Sequence, residues 1–387
     1  MKITGVKATP VRMDIPAAPY TTEGAGTKRE WGRLSRLSPK RPTPMLEYVL
    51  VHIETDEGIV GIGEAQADIG FFGETVEGIR AAVDDYLGPQ LIGRDPFDRE
   101  HLMHLIAFRG NTCARSAIDL ALHDIVGKAL GASAAVLLGG HRRERVPCSV
   151  EIAGGPPDEM AAECVSLMGQ GVRAFKLKIG GYPDADANRM QAVREAVGKD
   201  VSLRADANQG YSPKEAIAFC RLCETRGLGL ELLEQPVAVW DLHGMAQVRR
   251  SVDTLIEADE ACYSVHDAMQ IVRHEAADVL NVKLGKAGGF LEAKKIAALA
   301  ESAGLRCVLG TAFGLGVEIA AKCHLFASTE SVADAVEFTE VKLHANLLQR
   351  PHDRLLSLPL DDGCMQLPTG PGLGVELDDL AVQQHRL

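Results

Sequence analysis

The chain has 387 residues, more than one compact core usually holds, so two structural units are expected. Its 46% hydrophobic and 24% charged residues are those of an ordinary soluble globular protein, and the net charge of −12 argues against a nucleic-acid or anionic-membrane partner. Nine cysteines scattered through apolar segments fit reduced thiols, and neither a signal peptide nor an apolar run of membrane-spanning length is visible, so a cytoplasmic protein is expected.

Residues 2–15 and 46–65 have strand character, the second stretch folding back at Asp56-Glu57-Gly58 as a hairpin. Residues 16–45 between them read as a loop in which Gly, Pro, Ser and Thr interrupt a run of Lys and Arg. A loop that long is disordered or a functional lid. Apolar spacing then predicts helices over 74–90, 96–108 and 112–131. A sheet followed by helices is an α+β module.

From residue 146 a different order begins. Short apolar runs recur, each closed by a polar residue: Glu151, Lys178, Asp206, Glu234, Asp259, Lys283, Thr311 and Glu337. From 178 to 283 the gaps are 28, 28, 25 and 24 residues, the length of one strand, one helix and the loops between them. Eight such units predict a closed (β/α)8-type barrel, a modified TIM barrel, with these charges on one rim. Gly314-Leu315-Gly316 is too incomplete and too late to mark a dinucleotide site. Cys220 and Cys223 fall inside the helical stretch SPKEAIAFCRLCETRG and read as two helix-face thiols. The tail, 355–378, reads as short extended pieces leaving the barrel to pack on the N-terminal module. The division expected is 1–130 capping module, 131–350 barrel and 351–387 return to the cap.

Strand parity places Lys176 with Lys178, Asp206 with Asn208, and Asn281 with Lys283 on the inner face. Asp206, Glu234 and Asp259 on three neighbouring strands would repel one another unless a cation lay among them. Three carboxylates suit Mg2+, or Mn2+; zinc is disfavoured because no histidine or cysteine stands at these strand ends. Lys178 and Lys283, on the second and sixth strands, stand on opposite sides of this acid arc. The arrangement predicts metal-assisted removal of the α-proton of a carboxylate substrate to give an enediolate. Ion pairs that merely brace the barrel mouth are the competing reading.

The segments FKLK, DANQ, EQP, ADE and NVKLGKAGG, with RSAIDLALHDIVGKALG (115–131) and PTGPGLGVELD (368–378), resemble the enolase superfamily in its muconate-lactonizing subgroup. The resemblance implies Asp206, Glu234 and Asp259 as metal ligands and Lys178 and Lys283 as acid and base, a pairing of lysine with Mg2+ that is general to this superfamily. It implies Lys176 as a modulator touching the substrate carboxylate, with Asn208, Glu260 and Glu337 as supporting or substrate-facing groups. Phe313, in the GTAFG of the seventh strand end, joins them. No histidine base of the mandelate-racemase type is evident there, and His324 reads as structural. Specificity is expected from two capping loops, near 16–35 with Trp31 among its basic residues, and near 66–75 with Phe71 and Phe72. The reactions left open are cycloisomerisation of a muconate-like diacid, racemisation or epimerisation of an amino-acid derivative, and dehydration of a hydroxy acid. A non-catalytic metal-binding barrel stands outside them. A homo-oligomer acting on a small carboxylate is the implied assembly.

Overall fold

A computed structural model describes residues 1–15, 45–140, 143–332 and 335–387. The basic loop and Trp31 lie outside the described residues.

The N-terminal module is a three-stranded antiparallel sheet in the order β1 (Ile3–Asp14), β2 (Met45–Thr55), β3 (Val60–Ala67). The hairpin turns at the expected place, where Gly58 takes a φ of 77°. The expected helix over 74–90 starts at Val76, capped by Thr75, and widens after Ala81 into a π-helical turn before a 3-10 turn at Gly88–Gln90. The second helix is shorter than expected, Arg99–Leu105. The third, Thr112–Leu130, lies directly on β3. Two glycines permit that approach, since a Cβ on Gly63 would stand 1.8 Å from the Ala117 carbonyl oxygen and one on Gly61 2.2 Å from that of Ala121.

The second unit is an eight-stranded parallel barrel: β4 (Arg145–Ile152), β5 (Ala174–Lys178), β6 (Ser202–Asp206), β7 (Leu230–Glu234), β8 (Leu255–Ala258), β9 (Val279–Val282), β10 (Arg306–Leu309) and β11 (Val336–Glu337). Each strand pairs with its neighbour in sequence, and β11 returns to β4. The remaining seam, between β10 and β11, is joined by a bridge of Cys307 with Val332. Alternation decides the two faces. Phe175, Leu177, Leu203 and Ala205 are buried in the main apolar core, while Lys176, Arg204 and Asp206 between them belong to a buried ionic network.

The tail stays on the barrel for one strand before it reaches the capping module. Its extended piece β12 (Cys364–Gln366) first pairs antiparallel with β4, because the start of β4 offers a free edge there. Beyond it the tail does reach the capping module. Leu373 N–H donates to Asp124 Oδ1 at 2.8 Å, and Leu387 N–H donates to the Pro10 carbonyl at 3.1 Å. Cys220 and Cys223 are buried thiols on the helix Pro213–Thr225.

Candidate active site

All the charged strand-end residues come to one rim. Register explains their proximity: Lys178 pairs with Asp206, Asp206 with Glu234, and Glu234 with Glu257 on successive strands. Asp259 and Lys283 each follow their strand by one residue, and Thr311 follows β10 by two.

Lys178 Nζ donates to Asp206 Oδ2 at 2.6 Å and to Asn208 Oδ1 at 2.9 Å, and lies 2.9 Å from Glu151 Oε2. Lys176, fully enclosed, bridges Glu234 Oε2 and Glu337 Oε1, each at 2.7 Å. Across the mouth, Lys283 donates to Asp259 Oδ2 at 2.6 Å, and Lys286 to Asp259 Oδ1. Lys286 sits on the single helical turn Leu284–Ala287 and also donates to the carbonyls of Asp259 and Asn281. Among the described residues, no three carboxylate, imidazole or thiolate groups converge on one point as they stand, because each of the three acids is turned to a lysine.

Electrostatics follow from this pairing. Burial works against charge on both lysines, yet Asp206 and Glu151 hold Lys178 above its ordinary pKa, and Asp259 and Glu234 do the same for Lys283. Lys176 is the modulator that the resemblance implies. It does lower Lys178, but the adjacent acids outweigh it. Burial opposes ionisation of Asp259 too, and Lys283 with Lys286 overrides it, keeping that carboxyl well below its usual range. Glu234 goes the other way, pushed well up by burial and by Asp206. Glu257 is lifted to about 8 and Glu260 to about 7, in each case by burial first.

The supporting residues are where the strand ends would put them. Asn208 Nδ2 donates to Glu260 Oε1 at 3.2 Å. Glu337 Oε2 accepts from Thr311 N–H at 3.2 Å. Phe313 is held in the left-handed region, φ 69°, as are Asn208, Gln209 and Gln235 at the turns that leave β6 and β7. Sequence reasoning passed over the two glutamines. Gln235 Oε1 accepts from the backbone N–H of Asp259 and of Ala261, each at 3.1 Å, and so shapes the turn carrying a candidate ligand. Their signal was their place, directly after the strand-end DAN and E. The second capping loop reaches the mouth: the Lys283 ammonium lies 4.3 Å from the Phe71 ring centroid, and Phe72 packs at Gly285. Tyr263 Oη donates to the Phe71 carbonyl and fixes that loop. His324 is buried and structural, with its Nε2 2.9 Å from the Leu373 carbonyl.

Comparison with known proteins agrees with this geometry. Residues 42–139 match the mandelate racemase/muconate lactonizing enzyme N-terminal domain, and residues 159–381 the enolase C-terminal domain-like family. An L-Ala-D/L-Glu epimerase of Clostridium acetobutylicum is 36% identical over 85% of this chain and 90% of its own length. The chain belongs to the mandelate racemase/muconate lactonizing enzyme family. A chloromuconate cycloisomerase of Cupriavidus pinatubonensis is another member, 33% identical over 87% of this chain and 90% of its own. The crystal structure of N-succinyl Arg/Lys racemase from Bacillus cereus superposes with a TM-score of 0.88 at 30% identity, covering 100% of this chain and 98% of that one. That of a dipeptide epimerase from Enterococcus faecalis, complexed with Mg and L-Leu-L-Tyr, has a TM-score of 0.85 at 30% identity, covering 97% and 100%. These relatives are isomerases, and so is this member of the family. Among the described residues no helix is long and apolar enough to cross a membrane.

The donor set fits a hard dication. Asp206 and Glu234 are register neighbours with only oxygen to offer, and Asp259 lies one strand further on. Buried oxygens are also left over around them: among the described residues, both of Glu257, Glu260 Oε2 and Asn281 Oδ1 have no hydrogen-bond partner.

Proposed function

We propose that the protein is a racemase or epimerase of N-acylated amino acids or dipeptides, moving the α-proton between faces with Lys178 and Lys283. The observation that supports this most is their placement at the ends of β5 and β9, on opposite sides of an arc in which the ends of the middle three strands carry Asp206, Glu234 and Asp259. An α-carbon held over that arc presents one face to each amine. One lysine takes the proton as base while the other returns a proton as acid.

Asp206, Glu234 and Asp259 would hold Mg2+, with Mn2+ as the alternative. A dication there supplies charge stabilisation at the substrate carboxylate as its α-proton becomes acidic. The same acids hold the lysines. Asp206 Oδ2 is bonded to Lys178 and Asp259 Oδ2 to Lys283, so either acid, on turning inward, gives up its amine. An amine without its carboxylate loses the main force keeping it protonated. Lys176, which lies between Glu234 and Glu337, would meet the substrate carboxylate, with Asn208 and Glu260 bracing the Lys178 side. Phe71 and Phe72 form the part of the lid that covers Lys283. Cycloisomerisation of a muconate-like diacid is the second reading, supported by Glu337 at the eighth strand end beside Lys176.

The test is proton exchange in deuterated buffer with Mg2+, using L- and D-configured N-succinyl amino acids and dipeptides, with muconates alongside. The wild type should exchange both configurations of one compound. Lys178→Ala and Lys283→Ala should each retain exchange with one configuration only, and opposite ones. Equal exchange of both configurations by either variant would count against two bases. Turnover of muconates alone would leave the second reading.

A further inference from the structure

A buried hydroxyl of the capping sheet reaches the catalytic rim. Tyr48, on β2, is fully enclosed. Its Oη donates to the Phe313 carbonyl at 2.5 Å and lies 3.0 Å from His344 Nε2. The other ring nitrogen, His344 Nδ1, lies 3.0 Å from the Ala345 carbonyl, so the imidazole tautomer decides which partner gives the proton across the Tyr48–His344 contact. Phe313 belongs to the loop after β10, and His344 follows the short 3-10 turn Thr339–Lys342 after β11. One side chain of the cap thus ties together the loops that follow the seventh and eighth barrel strands.

Those loops carry the tie onward to the site. Phe313, left-handed at φ 69°, donates its N–H to Thr311 Oγ1 at 2.9 Å. Thr311 Oγ1 donates to Glu340 Oε2 at 2.6 Å, and Thr311 N–H to Glu337 Oε2, whose other oxygen meets Lys176. At the start of the same loop, Gly310 lies against the Lys283 stem, where a Cβ would come within 2.6 Å of Lys283 Cε. At its far end, Glu64 of β3 accepts from the N–H groups of Leu315 and Glu318. The loop is therefore pinned from the cap at two places and touches a candidate base and the candidate substrate-carboxylate network. A left-handed phenylalanine is disfavoured in isolation, so its shape depends on such anchors.

We infer that Tyr48 is a positioning residue that sets the substrate-facing wall formed by the loops after β10 and β11. The inference rests on the proposed reading of Lys176, Lys283 and Glu337 as substrate-side groups. Because Tyr48 touches neither lysine, its loss should loosen the wall and leave the proton-transfer groups in place.

The test is Tyr48→Phe, which removes the hydroxyl and keeps the ring in the core. With L-Ala-L-Glu and N-succinyl-L-arginine as probes, KM should rise roughly tenfold, the scale of one neutral buried hydrogen bond, with kcat changed less than about threefold. Amide hydrogen exchange, read by peptide mass, should quicken in both 311–318 and 338–346 while β1 and β3 keep their protection. Unchanged KM for a probe the wild type turns over would overturn the inference, as would faster exchange in one loop only or in neither. If the wild type turns over neither probe, the proposed function fails, and the exchange measurement still decides the role of Tyr48.

Discussion

Glu64 offers a test of the cap-to-barrel joint that needs no substrate. Its carboxyl is buried between β3 and the start of the helix Gly316–Ala327, bonded to two backbone N–H groups and facing Glu318. Burial, then Glu318, push it up to about 8 from an ordinary 4.5, and the two N–H donors recover only part. The sign follows directly. The folded protein keeps a proton that the unfolded chain gives up, so the stabilisation is complete below the unfolded value near 4.5 and is lost as pH rises through about 8. At about 1.4 kcal/mol per pH unit, the loss between about pH 5.5 and 7.5 is at most about 3 kcal/mol. Glu318, itself lifted to about 7, competes for the same proton and brings the expectation to roughly 1–3 kcal/mol. Glu64→Gln cannot titrate. Its denaturant midpoint should therefore gain on the wild type as pH rises across that window, whatever the fixed cost of an amide facing a backbone N–H. Midpoints of the two proteins that run parallel from about pH 5.5 to 7.5 would mean that Glu64 is already ionised in the fold, and the reasoning from burial would be wrong.

Three other outcomes follow from the same geometry. Mg2+ should raise the melting temperature, by the equivalent of about 2.7 kcal/mol at a hundred times its Kd, and Asp206→Asn should abolish the rise; a rise that persists in the variant would place the ion elsewhere. Gly310→Ala should fold but lose activity, on the order of tenfold or more in kcat, because the new methyl would stand 2.1 Å from Asn281 Oδ1 and 2.6 Å from Lys283 Cε; steady-state kinetics beside circular dichroism would show whether the loss is local. Gly63→Ala should destabilise by about 3 kcal/mol or more through the Ala117 carbonyl, a backbone atom that cannot swing aside, and thermal unfolding reads it.

Much of the barrel was legible because its strands alternate. A lysine or acid at every second position of a short apolar run has only the barrel interior to face, and the near-constant spacing brought Lys178, Asp206, Glu234, Asp259 and Lys283 to one rim. Phe71 and Phe72 were legible only through the resemblance, which implies a capping loop near 66–75. What sequence could not show is pairing at a distance. Tyr48 and Phe313 are 265 residues apart, Glu64 and Leu315 251, and neither pair has a local pattern. Lys286 belongs with them: Leu284–Ala287 closes one helical turn and returns the second lysine of NVKLGKAGG to Asp259.

The acids present the harder case, because repulsion among three carboxylates is relieved equally by a cation or by lysines. The sequence argument weighed these as competitors. In the structure Lys176, Lys178, Lys283 and Lys286 all take carboxylate partners, and even so both oxygens of Glu257 and one of Glu260 find no hydrogen-bond donor among the described residues. Ion pairing therefore does not exhaust the acidity of this mouth. A set of acids built only to brace a barrel would be expected to end with its buried oxygens matched, since each unmatched one costs about 1–3 kcal/mol. Leftover acceptors beside register-neighbouring carboxylates fit the proposed dication better than they fit bracing alone.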